Sequence, residues 1–247
     1  MTTRKLLLLL LAAVMAVPAA AQDDAETGLW TSIEVQKKLS KKVTLSGEAE
    51  FRMGDDMKNA DRWTLSGALA YKPAKWVKFD AGYKFMRVHN LSETKLKDNG
   101  IDIAKWTASY WDSRHRLFAS VTGNVDIGRF NLSLRERWQY TYRHSASTER
   151  YDYDDDEWEW KLKDSKAKHV LRSRLQVEYD IPKCKIDPYL SAEMYNAKGG
   201  TEKFRYTAGA DWRLDKRNQL SLFYRYIDQK SDSPNQHVIG IGYRHKF

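Results

Sequence analysis

The chain has 247 residues, a formal net charge of +9 and one cysteine. A single thiol excludes an internal disulfide and a cysteine-based metal cluster. Its mean hydropathy is −0.70, and beyond the first residues no apolar run approaches the ~18 positions a membrane helix needs, which excludes helical spans.

The N-terminus reads as an export signal. Arg4 and Lys5 precede the apolar run Leu6–Val17, and Ala19-Ala20-Ala21 offers a small-residue cleavage site before Gln22. Residues 1–21 are therefore read as a signal peptide cleaved near Ala21, and 22–247 as one domain. Gln22 is not a cysteine, so nothing marks a lipid-anchored start. An exported chain with Lys and Arg scattered through alternating positions has no basic patch for nucleic acid.

From Leu29 onward, apolar and polar residues alternate with period two, in segments of about ten residues separated by turns, the pattern of membrane barrel strands. Near 29–39, Ile33 and Val35 form the apolar row. From 43 to 53, Leu45, Gly47 and Phe51 alternate with Glu48, Glu50 and Arg52. Trp63, Leu65 and Leu69 follow, then Phe79, Tyr83 and Phe85 against Asp80 and Lys84. Leu117, Val121 and Val125 oppose Arg116 and Asp126. Leu134, Trp138 and Tyr140 oppose Arg135 and Arg137. Leu171, Leu175 and Val177 oppose Arg172, Arg174 and Glu178. Leu190 and Met194 oppose Glu193. Tyr206 and Trp212 oppose Arg205, Asp211 and Arg213. Leu222 and Tyr224 oppose Arg225, and Ile239, Ile241 and Tyr243 oppose Arg244. In a helix these apolar residues would be spread all round the axis, so only an extended backbone gives each row one face. The charged rows are assigned to the barrel interior, either pairing across a filled lumen or lining a basic-biased channel for anions.

Short turns are expected at 40–41, 73–75, 128–129, 182–183 and 215–217, and longer loops near 54–61, 89–113, 144–167, 196–202 and 228–236. That asymmetry suits periplasmic turns and extracellular loops. Cys184, beside Pro182, is read as a free turn residue. Aromatics gather near strand ends: Tyr71, Trp76, Tyr179, Trp212, Tyr243 and Phe247 towards the short turns, and Trp63, Trp138, Tyr140, Tyr142, Phe204, Tyr206, Tyr224 and Tyr226 towards the loops. Two interfacial girdles are the expected cause.

The predicted fold is an all-β, antiparallel up-and-down transmembrane barrel of 10–12 strands. Eleven strands are readable; the even count usual in bacterial barrels favours twelve, with residues 22–29 hiding part of a further strand or threading the lumen. Glu136 falls on the apolar row, where a charge is costly, and a β-bulge near Arg135–Glu136 is expected to reset the alternation.

The candidate hydrolytic groups are His89 with Ser92, His115 with Ser113, His144 with Ser145, and His169. None carries a hydrolase motif, so no catalytic residue, no cofactor and no enzyme activity are assigned. In Tyr151–Trp160, the carboxylates Asp152, Asp154, Asp155, Asp156 and Glu157 are oxygen ligands of the kind calcium takes, without the EF-hand spacing. A solvated acidic loop at a lipopolysaccharide surface is the competing reading.

The segments Gly28-Leu29-Trp30, Val35–Glu48, Asp187–Glu193, Phe204–Gly209 and Ile239–Phe247 resemble the domain-of-unknown-function 2490 family of outer-membrane barrels. The resemblance spans nearly all of 22–247 and implies a barrel of unassigned role. The last strand, with Gly242, Tyr243 and terminal Phe247, also resembles the signal read by the barrel-assembly machinery, with His245 where a second aromatic is usual. Three function classes remain: a structural barrel or narrow channel in the outer membrane, a barrel hydrolase at the outer rim, and a soluble periplasmic β-sandwich binder. Oligomeric state is left open.

Overall fold

The computed structural model describes residues 25–230 and 233–247; the expected signal peptide and residues 22–24 lie outside them. In chain order the strands are β1 (Glu26–Lys38), β2 (Val43–Gly54), β3 (Asn59–Ala74), β4 (Val77–Asn90), β5 (Glu93–Leu96), β6 (Ile103–Thr107), β7 (Tyr110–Ile127), β8 (Phe130–Arg143), β9 (Ala146–Asp152), β10 (Glu157–Lys163), β11 (Lys166–Tyr179), β12 (Ile186–Ala197), β13 (Gly200–Arg213), β14 (Asn218–Gln229) and β15 (Gln236–Lys246). Eleven of them close a barrel in the order β1-β15-β14-β13-β12-β11-β8-β7-β4-β3-β2.

The barrel corrects two expectations. It has eleven strands rather than twelve, and it is not wholly antiparallel, because β1 pairs with β15 in parallel from Glu26↔Gln236 to Gln36↔Lys246. The two facts have one cause. Strands that alternate in direction around a ring of odd number leave the first and last running the same way. Residues 26–29 belong to this first strand and not to an extra one.

The loop expectations also change. Residues 54–61 and 196–202 are tight hairpins, β2–β3 and β12–β13, rather than long loops. Segments 89–113 and 144–167 instead fold into β5, β6, β9 and β10, a separate four-stranded sheet ordered β10-β9-β6-β5. We call the barrel end carrying it the sheet end and the other the turn end. Gly128, with φ 62°, shapes the two-residue turn β7–β8 at the turn end.

Alternation sets the two faces of the wall. Ile33, Leu65, Leu117, Leu134, Leu175 and Ile239 project outward and stay exposed. The intervening polar rows point in and are largely covered. Three inner positions are glycines because large rings lie over them. A Cβ on Gly82 would meet the Phe118 ring at 2.6 Å, one on Gly209 the Tyr189 ring at 2.7 Å, and one on Gly240 the Phe223 ring at 1.9 Å. Rings thus fill the interior at these three positions.

Glu136 gives a third correction. Arg135, Glu136 and Arg137 pair in unbroken register with Thr122, Val121 and Ser120 on one side and Arg174, Ser173 and Arg172 on the other. No bulge resets the row, and Glu136 stays in the outward row between the exposed Leu134 and Trp138. Ser173 makes this tolerable: its hydroxyl donates to Glu136 Oε2 at 2.7 Å. The register irregularities fall near strand ends, at Arg52/Met53, Tyr71/Ala74 and Tyr195/Asn196.

The four-stranded sheet rises from the wall through two-residue joints, β8 to β9 and β10 to β11. The middle of its polar face is covered: Thr107, Thr148 and Asp152 are buried, and the Thr148 hydroxyl donates to the Ala108 carbonyl at 2.8 Å. Lys105 pairs with Asp152 and Arg150 with Glu159. The opposite face carries Trp106, Tyr151 and Trp158 in mutual contact, with centroids 5.9 and 5.1 Å apart, beside Trp160 and Leu162. On that face Trp158, Trp160 and Leu162 are exposed.

Candidate functional site: the barrel interior

Period two places all seventeen predicted charges on the inward rows, and the register then sets their neighbours. Two adjacent rows cross β8, β11, β12 and β13. One reads Arg135, Arg174, Glu193, Arg205; the next reads Arg137, Arg172, Tyr195, Lys203. Glu193, with 3% of its side chain exposed, is the acid that centres them. Arg172 donates to both its oxygens at 2.7 and 2.6 Å, Arg135 donates at 3.2 Å, and the Tyr195 hydroxyl donates at 3.2 Å. Arg174 and Arg205 stand at 3.9 and 4.0 Å.

Round the wall, Asp80 accepts from Arg137 at 2.8 Å and from Ser120 at 2.7 Å. Glu50 takes a bidentate Arg52 at 2.9 and 3.0 Å, and Lys84 donates to Glu48 at 3.2 Å. Nearer the turn end, Arg244 donates to Glu34 at 2.6 Å and Arg213 to Asp187 at 2.8 Å. Asp211 accepts from Ser221 at 2.6 Å. Glu178 stands opposite Tyr189.

Arginines exceed their acids, and aromatic rings hold the surplus. The Trp30 ring carries Arg52 at 3.5 Å, Arg225 at 4.8 Å and Arg205 at 5.1 Å. Tyr195 carries Arg205 at 4.7 Å and Arg172 at 5.0 Å, and Phe118 carries Arg137 at 4.4 Å. Such contacts strengthen when desolvated. Arg116 donates to Thr141 at 2.8 Å rather than to an acid. Among the described residues, the Nε atoms of Arg62, Arg135, Arg172, Arg174 and Arg205 are buried with no hydrogen-bond partner. Their guanidinium groups make this part of the interior electropositive, a setting that suits a small anion. At the sheet end a cavity of ≈ 80 Å³ opens beside Trp30, lined also by Glu26, Asp61, His89 and Val238.

Sequence reasoning set Arg62 and Phe118 on the inner rows without naming them as site residues, and it missed Trp30 and Tyr195. Parity was the available signal, since Trp30 shares the inward row of Glu34 once Ile33 and Val35 are placed outside.

The other candidates are dispersed. His89 Nδ1 lies 3.1 Å from the Ala60 carbonyl and its ring stacks on Trp111. His115 bonds the Tyr83 hydroxyl at 2.5 Å and packs edge-on against His144. His169 packs on Trp138 and Tyr140. Ser113 accepts from Arg87. In the acidic segment the carboxylates diverge: Asp152 to Lys105, Asp154 to Lys97 and Asp156 to the Tyr151 hydroxyl. Among the described residues no three His, Cys, Asp or Glu side chains form a metal-ligating group. Cys184 is a free thiol in the β11–β12 turn, and Phe247 ends the chain with its backbone N–H bonded to the Gln36 carbonyl of β1.

A family model described as a protein of unknown function, DUF2490, matches residues 27–238. No curated protein matches. The translocator domain of the autotransporter NalP from Neisseria meningitidis is similar over 92% of this chain and 91% of its own, at 12% identity and a TM-score of 0.62. The β-domain of the Bordetella autotransporter BrkA is similar over 89% and 96%, at 13% identity and a TM-score of 0.55. These likenesses are of fold.

Proposed function

The chain belongs to the DUF2490 family, and on that premise we propose that it is an outer-membrane barrel whose interior forms a narrow, anion-selective path. The strongest support is the set of buried arginine Nε atoms without partners beside Glu193. An exposed belt of Leu, Ile and Val around a charged interior is the arrangement that hydrocarbon outside and hydrated ions inside call for. The barrel strands run from 11 residues in β15 to 18 in β7, and about 9–11 tilted residues cross a bilayer. In this reading the sheet end faces outward, the lipid and lipopolysaccharide of the outer leaflet surround the belt, and cleavage near Ala21 releases the exported chain. Gly242, Tyr243 and Phe247 on the terminal strand serve recognition by the barrel-assembly machinery. The barrel acts without catalysis.

Planar-bilayer recording tests the path. A small conductance that favours chloride over potassium is expected. Replacing Arg135 and Arg172 by glutamine should weaken that preference. A silent bilayer, or one passing potassium as readily as chloride, defeats the proposal.

A further inference from the structure

Among the described residues, strand β10 is an open edge, bonded to β9 alone. Its sequence is Glu157-Trp158-Glu159-Trp160-Lys161-Leu162-Lys163, and Trp158, Trp160 and Leu162 stand 59%, 74% and 57% exposed on one face. Proteins usually blunt such an edge with proline, bulges or charges that repel a twin. β10 has neither proline nor bulge, and its charges are arranged to do the opposite. Acids fill the first half and bases the second, so the strand is antisymmetric in charge about Trp160.

We propose that β10 is a self-association edge whose occupant is β10 of a second copy of this chain, paired antiparallel about Trp160. In that register Glu157 faces Lys163 of the second copy, Glu159 faces Lys161, Trp158 faces Leu162 and Trp160 faces its twin. The two-fold axis repeats each unlike pair and points the two barrels in opposite directions, as copies in facing membranes would be. Opposite charges directly across an antiparallel pair stabilise it, and like charges oppose it. Slipping the register by two residues sets Glu159 or Lys161 against itself, so the charges also fix alignment. The apolar rows meet on the face that is otherwise bare. The sheet's other edge, β5, offers no such match: Glu-Thr-Lys-Leu paired with itself sets Glu93 against Leu96. Existing contacts leave the edge available, since Glu159 is 40% exposed beside Arg150 and Lys163 lies 3.8 Å from Glu93. A seven-residue edge is small against standard interfaces, so the dimer depends on concentration.

The test is sedimentation of the full chain in detergent across concentrations, where either relative orientation of the two barrels is free to form. The wild type should dimerise. Glu159→Lys sets lysine against Lys161 in both symmetric pairs and should raise the dissociation constant about tenfold or more. Lys161→Glu should do the same. The double variant Glu159→Lys with Lys161→Glu reverses both charges and should return association to within about threefold of wild type. Circular dichroism of the variants checks that the barrel stays folded. A wild type that is monomeric throughout, a dimer indifferent to Glu159→Lys, or a double variant as weak as the singles would overturn the proposal.

Discussion

In the barrel wall, Leu65, Leu117 and Leu134 point outward while Arg172 and Glu193 point inward. In the four-stranded sheet, Trp158, Trp160 and Leu162 point outward while Thr148 and Asp152 are covered. Both regions obey the same alternation, and both leave their apolar row bare. In the wall that row continues round a closed ring, so a surrounding solvent can serve all of it at once. In the sheet it stops at the free edge of β10, where only a specific neighbour can complete it. Alternation decides which residues share a face; closure decides what kind of surroundings that face requires.

The largest break in this comparison comes from the inner row. Glu193→Gln keeps the shape of the side chain but leaves Arg135, Arg172, Arg174 and Arg205 without their acid. A loss of about 3–5 kcal/mol in unfolding free energy is expected, measured by guanidinium titration in lipid vesicles. A change under about 1 kcal/mol would mean that water already screens the cluster.

A smaller effect, of opposite sign, comes from the outer row. Glu136→Leu removes a carboxyl from the middle of the belt and should stabilise the barrel by about 1–2 kcal/mol in the same vesicles. Destabilisation there would argue that the outward face of β8 meets something other than hydrocarbon.

The smallest effect belongs to the sheet. The Lys105 ammonium that donates to Asp152 holds its carboxyl below the usual carboxylate range. The bond therefore stabilises fully above the free carboxyl's 3.8 and fades as acid takes the pH through the lower folded value. Emission from Trp106 and Trp158 should shift in that acid range, and Asp152→Asn should abolish the shift. A transition that survives in the variant would assign the acid sensitivity elsewhere.

Row parity was legible because each charged residue two positions from the next, as in Arg135–Arg137 or Arg172–Arg174, must share a face in an extended chain. The partners across the interior were not. Arg135 and Glu193 are 58 positions apart, and their meeting depends on the β8–β11–β12 register, which no local pattern encodes. The gathering of Arg52, Arg205 and Arg225 on Trp30 likewise needs closure of the ring. β10 was hidden for a different reason. Its alternation is clear, yet the run Asp154-Asp155-Asp156 just before it reads as loop, and in the fold that run is the hairpin turn joining β9 to β10. The Glu136 expectation failed because sequence does not reveal that Ser173 stands beside it.

The parallel seam between β1 and β15 has a practical corollary. Because those strands share a direction, β1 starts at one rim and β15 finishes at the opposite rim. A peptide fused ahead of Ala25 is then displayed beside the sheet, while one fused after Phe247 hangs from the far mouth. With the barrel set in a membrane as proposed, a single polypeptide thus offers two handles that address opposite sides of it.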